Sequence, residues 1–392
     1  MLSGFMQPLS IIEIPWICSI ELKNRRKCLW KGKNMLKKNV LKYSRSLFDS
    51  TNYGFKFFKH GNLTILSTSF GVQLNFLLDG LKNYPIDKLS ANLRKQQDRK
   101  TGLFIDNDFD IKQTMGFEEE YIFWQFTYFT TIALDMLGKK PQYSFIFLDD
   151  LKNKESLEKW LNKQDFKSFW YTSNKIMFLF YFLTYEQERL NIDNRVLIEY
   201  LFNFLDLRQD FNTGFWGTQN GASLENGMFG ASHIYLFYDY YGKEINYKDK
   251  IIDNVIKLQN KFGLFGSKFG GACEDYDAIE ILSILMKNSN YKFEVIKKTI
   301  SKTYNTIIKN QNKDGGFSYR IDNRNVFNKI KNVINQKENT YKYSGWTRMK
   351  SNFFRSDIWG TYFRVLAIAK IEEMSNKKNK FRFYPLPGWG YF

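Results

Sequence analysis

The chain has 392 residues, of which 43% are hydrophobic and 18% aromatic, so it carries the material for a large core and is not a disordered chain. A formal charge of +18 raises nucleic acid or anionic lipid as partners, yet the basic residues are scattered, as in Lys248, Lys250, Lys257 and Lys261, or Lys297, Lys298, Lys302 and Lys309. We therefore expect a solvated lysine-rich outside and no specific nucleic-acid binding, with peripheral membrane contact left open.

Taken in chain order, residues 1–50 are expected to form an N-terminal extension and a first outer helix. Ile11, Ile12, Ile14, Trp16 and Ile17 precede the basic cluster Lys23–Lys27. That is the reverse of a signal peptide, and an extra segment packed on the body is expected. Cys18, Cys28 and Cys273 have no disulfide-framework spacing, which points to a reducing, cytoplasmic setting. No apolar stretch reaches the ~20 residues of a membrane span. Runs that are apolar nearly all round cover Leu63–Leu81, Glu118–Leu137, Asn174–Tyr185, Asn226–Tyr241, Asp275–Met286 and Asp357–Ala369. Between them Met35–Phe48, Val196–Leu207, Lys250–Gln259 and Phe293–Lys309 carry lysine on one side and aliphatic residues on the other. The first set reads as helices buried on both sides, the second as helices with one wet face. Residues 376–392 are expected to be an aromatic tail packed on the body.

A turn of the form Q-x(4–5)-G-x-F/W links these runs. It stands at Gln97…Gly102-Leu103-Phe104, Gln209…Gly214-Phe215-Trp216, Gln259…Gly263-Leu264-Phe265 and Gln311…Gly315-Gly316-Phe317, with a worn copy at Gln164…Phe169-Trp170. A period of about 50 residues is that of a helix–loop–helix unit stacked on its own copies. The fold class is thus all-α. Six hairpins spanning residues 51–375 would make an α/α toroid, with apolar helices inside and amphipathic ones outside; an open superhelix has the same periodicity. In the turns, glutamine can bond the backbone, glycine supplies positive φ, and the aromatic packs into the next unit.

The recurrent turn, clearest as Gln311–Phe317, resembles the glutamine–aromatic repeat of the prenyltransferase and squalene-cyclase superfamily, over roughly residues 50–370. The resemblance implies a helical toroid with a central cavity, and an enzyme acting on an isoprenoid or lipid-linked substrate.

In such a ring the starts of the inner helices converge on that cavity. The polar residues there are Glu118–Glu120, Asn174, Glu225, Asn226, His233, Cys273, Glu274, Asp275, Asp277, Ser356 and Asp357. Glu274, Asp275 and Asp277 place three carboxylates within four positions. Mutual repulsion should raise at least one pKa, the condition for a general acid. Asp275-Tyr276-Asp277 also resembles the first three positions of the D-x-D-D motif of class II terpene cyclases, which would make Asp277 the proton donor; Ala278 stands where the fourth aspartate would be. His233, one of two histidines, lies seven residues after Asn226 and so on the same helix face. Asp277, Asp275, Glu274 and His233 are the expected catalytic set. Asn226, Trp216, Tyr121, Trp124, Asp357 and Trp359 are expected to bind substrate. A zinc set of Cys273, Asp275 and His233 has ligands of acceptable type, although their order reverses that of the zinc-binding protein prenyltransferases the repeat resembles. The alternatives are a glycan-processing hydrolase or lyase toroid and a non-catalytic binding scaffold.

Overall fold

A computed structural model describes residues 25–114, 116–287, 289–321, 339–375 and 381–392, with the side chains of the first helix from Met35 onward. The apolar segment around Trp16, the Cys18 and Cys28 side chains and residues 376–380 lie outside what is described. Among the described residues twelve α-helices follow one another: α1 (Arg25–Leu47), α2 (Ile65–Leu77), α3 (Ile86–Arg94), α4 (Glu119–Met136), α5 (Lys154–Asn162), α6 (Phe169–Leu190), α7 (Arg195–Asp206), α8 (Leu224–Tyr240), α9 (Lys248–Leu258), α10 (Ala272–Met286), α11 (Phe293–Lys309) and α12 (Ile358–Glu373).

The even-numbered helices form a closed inner ring. Each packs on the next, from α2 through α4, α6, α8 and α10 to α12, and α12 packs back on α2. The odd-numbered helices lie outside: α1 against α2, α3 against α4, α7 against α6, α9 against α8 and α10, and α11 against α10 and α12. The fold is an α/α toroid, and the closure of α12 on α2 removes the open-superhelix alternative. Sequence explains the two layers. Every residue of α2 and of α10 is buried, as an all-round apolar helix requires, whereas α7, α9 and α11 bury only one face.

Several inner helices have their starts fixed by side-chain caps. Thr64 and Ser67 form a capping box on α2, Ser223 caps α8 through the Asn226 N–H, and Asp357 caps α12 through the Gly360 N–H at 2.7 Å. The turn motif works as its chemistry suggests. The amides of Gln97, Gln209 and Gln311 donate to the carbonyls of Gly102, Gly214 and Gly315 at 2.9, 2.8 and 2.8 Å. Gly102 (φ +80°) could not be replaced, because a Cβ there would run into the Ser144 carbonyl.

The two ends of the ring differ. Across the N-terminal ends of the inner helices runs a strap, residues 339–352, whose short strands β1 (Thr340–Lys342) and β2 (Lys350–Asn352) pair antiparallel. It is tied down by Tyr341 donating to Asp357, Ser344 donating to Gln125, and the Arg348–Asp108 ion pair at 2.8 Å. Arg348 is thereby committed to Asp108. Among the described residues no helix is long and apolar enough to cross a membrane.

Candidate active site

The double glycine before α10 has a physical reason. A Cβ on Gly271 would collide with the Glu274 carboxylate, and one on Gly270 (φ +65°) would crowd Asp275. Glycine thus lets the first-turn carboxylates fold back over the helix start. Asp275 accepts the Phe265 N–H at 2.6 Å and forms a fully buried ion pair with Arg364 of α12. Arg364 also donates to the Tyr319 carbonyl, and the Tyr319 hydroxyl donates to Glu274 at 2.6 Å. The other Glu274 oxygen accepts from the Cys273 thiol at 3.1 Å. Three of the acidic-cluster residues are therefore knitted into one network joining α10 to α12. Burial lifts Asp275 to about 7 despite Arg364 beside it.

Asp277 stands apart from that network. It is fully buried, and neither carboxyl oxygen has a hydrogen-bond partner. The Ser232 hydroxyl lies close enough to oppose the shift but is committed to the Phe229 carbonyl at 2.8 Å. Burial pushes the Asp277 carboxyl well above the usual range, and the neighbouring Glu274, Glu280 and Asp275 push the same way. The fold thus favours the protonated form of Asp277.

The group facing it is His233 of α8, whose Nε2 is 4.0 Å from the Asp277 Oδ1. Burial holds His233 down to about 3, so the imidazole is neutral. Its Nδ1 lies 2.9 Å from the Ser173 hydroxyl of α6, and Ser173 also sits 3.0 Å from the Trp170 carbonyl. If the Ser173 proton goes to that carbonyl, Nδ1 must be the donating nitrogen. Nε2 then turns a lone pair toward the Asp277 acid. Gly230 makes this approach possible, since a Cβ there would strike Phe169 and crowd Ser173.

Aromatic rings lead from the strap to this pair. One run passes from Tyr341 to Tyr319 (5.2 Å), Trp359 (4.8 Å), Phe363 (6.0 Å) and Trp389 (4.5 Å), and ends 5.7 Å from the His233 ring. A second passes from Tyr343 to Phe70 (5.6 Å), Phe129 (4.7 Å) and again Trp389 (5.2 Å). Burial raises the phenols of Tyr121 and Tyr343, and the Cys273 thiol adds to both shifts.

The structure thus brings Asp277, His233, Tyr121 and Trp359 to the inside of the ring, with Glu274 and Asp275 in the adjoining network. It does not bring Trp124 or Trp216 there. Trp124 stacks on Trp160 of α5 at 5.5 Å, and the Trp216 indole donates to the Leu205 carbonyl of α7, so both pack between the rings. Asn226 is on the rim, accepting the Trp170 N–H at 3.1 Å. Asp357 is fully buried at the start of α12 with the Tyr341 hydroxyl at 2.6 Å, and burial raises it to about 7. Nor does the zinc set assemble: Asp275 is taken by Arg364 and the His233 Nδ1 by Ser173. Among the described residues no group of three or more His, Cys, Asp and Glu side chains comes together as metal ligands. Ser173, Arg364 as the partner of Asp275, Tyr343 and Trp389 were not foreseen. Only the aromatic composition of the last residues hinted at the fourth.

No family profile matches the sequence, and no curated protein matches it. Among solved structures the chain is similar to the type II terpene cyclase MstE from Scytonema. A variant of that enzyme in complex with geranylgeranyl dihydroxybenzoate is 12% identical, with a TM-score of 0.46, 88% of this chain covered and 99% of that one. The apo enzyme is 11% identical, with the same coverage and a TM-score of 0.46. At that similarity the comparison decides neither the substrate nor the residue roles, which rest on this chain's own geometry.

Proposed function

We propose that the ring holds an isoprenoid chain and that Asp277 starts the chemistry by protonating a carbon–carbon double bond. The observation that carries this reading is the neutral, unpartnered Asp277 carboxyl facing the neutral His233 at the end of two aromatic walls. The resemblance of Asp275-Tyr276-Asp277 to the cyclase motif supports the same assignment.

In the step itself the Asp277 O–H bond breaks and the alkene π pair takes the proton into a new C–H bond. A tertiary carbocation and the Asp277 carboxylate remain. Loss of a proton from the cation, or addition of water to it, ends the reaction, and Asp277 takes up a proton again. The energetics favour the transition state over the ground state. Before reaction Asp277 has no cationic partner; as the bond forms, the growing carbocation becomes one in a low-dielectric interior. The faces of Tyr121, Tyr343, Trp359 and Trp389 can attract the cation as it moves along the chain. These walls present mainly aromatic faces, which supports an isoprenoid rather than a glycan.

The test is solvent-deuterium incorporation. Incubated in D2O with geranylgeranyl-bearing compounds, the wild-type protein should return a product carrying carbon-bound deuterium at the protonated position. Asp277→Asn should incorporate none while retaining its circular-dichroism spectrum. Deuterium entering equally with both proteins would remove Asp277 from the mechanism, and none with either would favour a binding scaffold.

A further inference from the structure

Residues 381–392 cross the end of the ring where the inner helices finish, and they touch five of the six together with Lys287 just after α10. The Arg382 N–H donates to the Leu77 carbonyl of α2. The Tyr384 hydroxyl lies 2.9 Å from both Asp135 of α4 and the Tyr181 hydroxyl of α6. Tyr391 packs on Tyr240 of α8 at 5.7 Å. Phe392 lies under Lys287, just after α10, at 4.9 Å, and under Lys370 of α12 at 4.6 Å. From the middle of this crossing one large side chain enters the ring. The Trp389 backbone is pinned by its N–H donating to the Tyr128 hydroxyl at 3.0 Å and by the Tyr362 hydroxyl donating to its carbonyl at 3.2 Å. Its indole packs edge-on against Phe363 and tilted against Phe129, and it reaches His233. A Cβ on Gly388, on one side of it, would crowd Ile132 and the Tyr128 hydroxyl.

Both aromatic runs therefore end on the same indole, and that indole is one ring away from the acid. We infer that Trp389 is the floor of the chamber and sets the length of isoprenoid chain that can be held with its terminal double bond at Asp277. This rests on the isoprenoid reading of the site and goes further, because it assigns substrate length to a residue outside the repeat. A chain that reaches the floor too early has its far end pushed against the strap. One that stops short leaves its terminal double bond above Asp277. Removing the indole would lower the floor and let the chain slide past the acid.

The experiment measures equilibrium binding of farnesol, geranylgeraniol and geranylfarnesol, neutral alcohols that report chain length without a charged headgroup. The wild type should show a drop in affinity at one step of the series. Trp389→Ala should move that drop to the next longer alcohol, improving its binding by about tenfold, and Trp389→Phe should fall between the two. If Trp389→Ala does not fold, Trp389→Phe carries the comparison alone. A wild-type length profile retained by the folded variants would overturn the inference while leaving the isoprenoid reading intact. A wild-type protein that binds none of the alcohols would overturn both.

Discussion

His233 and Asp277 share one cause for opposite shifts. Burial disfavours charge, which lowers the basic group and raises the acidic one. The consequences for stability run in opposite directions with pH. His233 is depressed to about 3 in the fold, whereas unfolded histidine titrates near about 6.5. The unfolded chain therefore takes up a proton that the folded chain refuses, and stability falls as pH drops from about 6.5 toward about 3. His233→Gln should lose that dependence, and urea titrations at mildly acidic and neutral pH would show a smaller difference in the variant than in the wild type. Asp277 is raised, so its folded form keeps a proton that the unfolded form releases above about pH 3.9. Stability is greatest below that value and declines as pH rises toward the folded pKa. Asp277→Asn should thus be more stable than the wild type at neutral pH and gain less at acidic pH, while losing activity. An unfolding midpoint that does not rise would mean that Asp277 is not held protonated. Both residues were legible in the sequence, one by its acidic company and the other by scarcity. Ser173 was not, because nothing local distinguishes a serine that meets a histidine across two helices.

At the scale of elements, the glutamine turn is a structural staple. Gln209 donates to the Gly214 carbonyl at 2.8 Å and to the Tyr235 hydroxyl at 3.1 Å, both buried. Gln209→Ala should cost about 0.5–1.5 kcal/mol through loss of the amide's own hydrogen bonds, since the Gly214 carbonyl still accepts from the Tyr235 hydroxyl; urea unfolding measures it. Gly102→Ala should cost more than Gln209→Ala in the same assay, because it adds a clash with Ser144 to a left-handed backbone. The worn copy explains itself: Gln164 has no glycine turn to bond, and its amide returns to the Trp160 carbonyl of its own helix at 3.0 Å. The long helices were readable because periodicity accumulates over many residues. The nine-residue α3 and α5 offer too few turns for that signal. Trp124 and Trp216 could not be assigned to the inside or the outside, since an inner helix is apolar on both faces.

On the scale of the whole molecule, the repeat implied a ring, and the ring's two closures came from outside the repeat. The strap ties Tyr343 and Trp359 together at 4.7 Å over one end, and residues 381–392 span the other. Neither has a periodic pattern, so sequence reading placed the tail on the body without seeing that it enters the ring. A chain ending before Phe381 should keep its helical circular dichroism yet melt at lower temperature and bind a hydrophobic dye. Unchanged melting would show that the segment does not hold the ring together. The central claim is that the ring presents a neutral carboxylic acid at Asp277, and infrared difference spectroscopy of wild type against Asp277→Asn tests it most directly. At neutral pH the wild type should show the carbonyl stretch of a protonated carboxyl, absent from the variant and shifted in D2O. Carboxylate bands in its place would contradict the account.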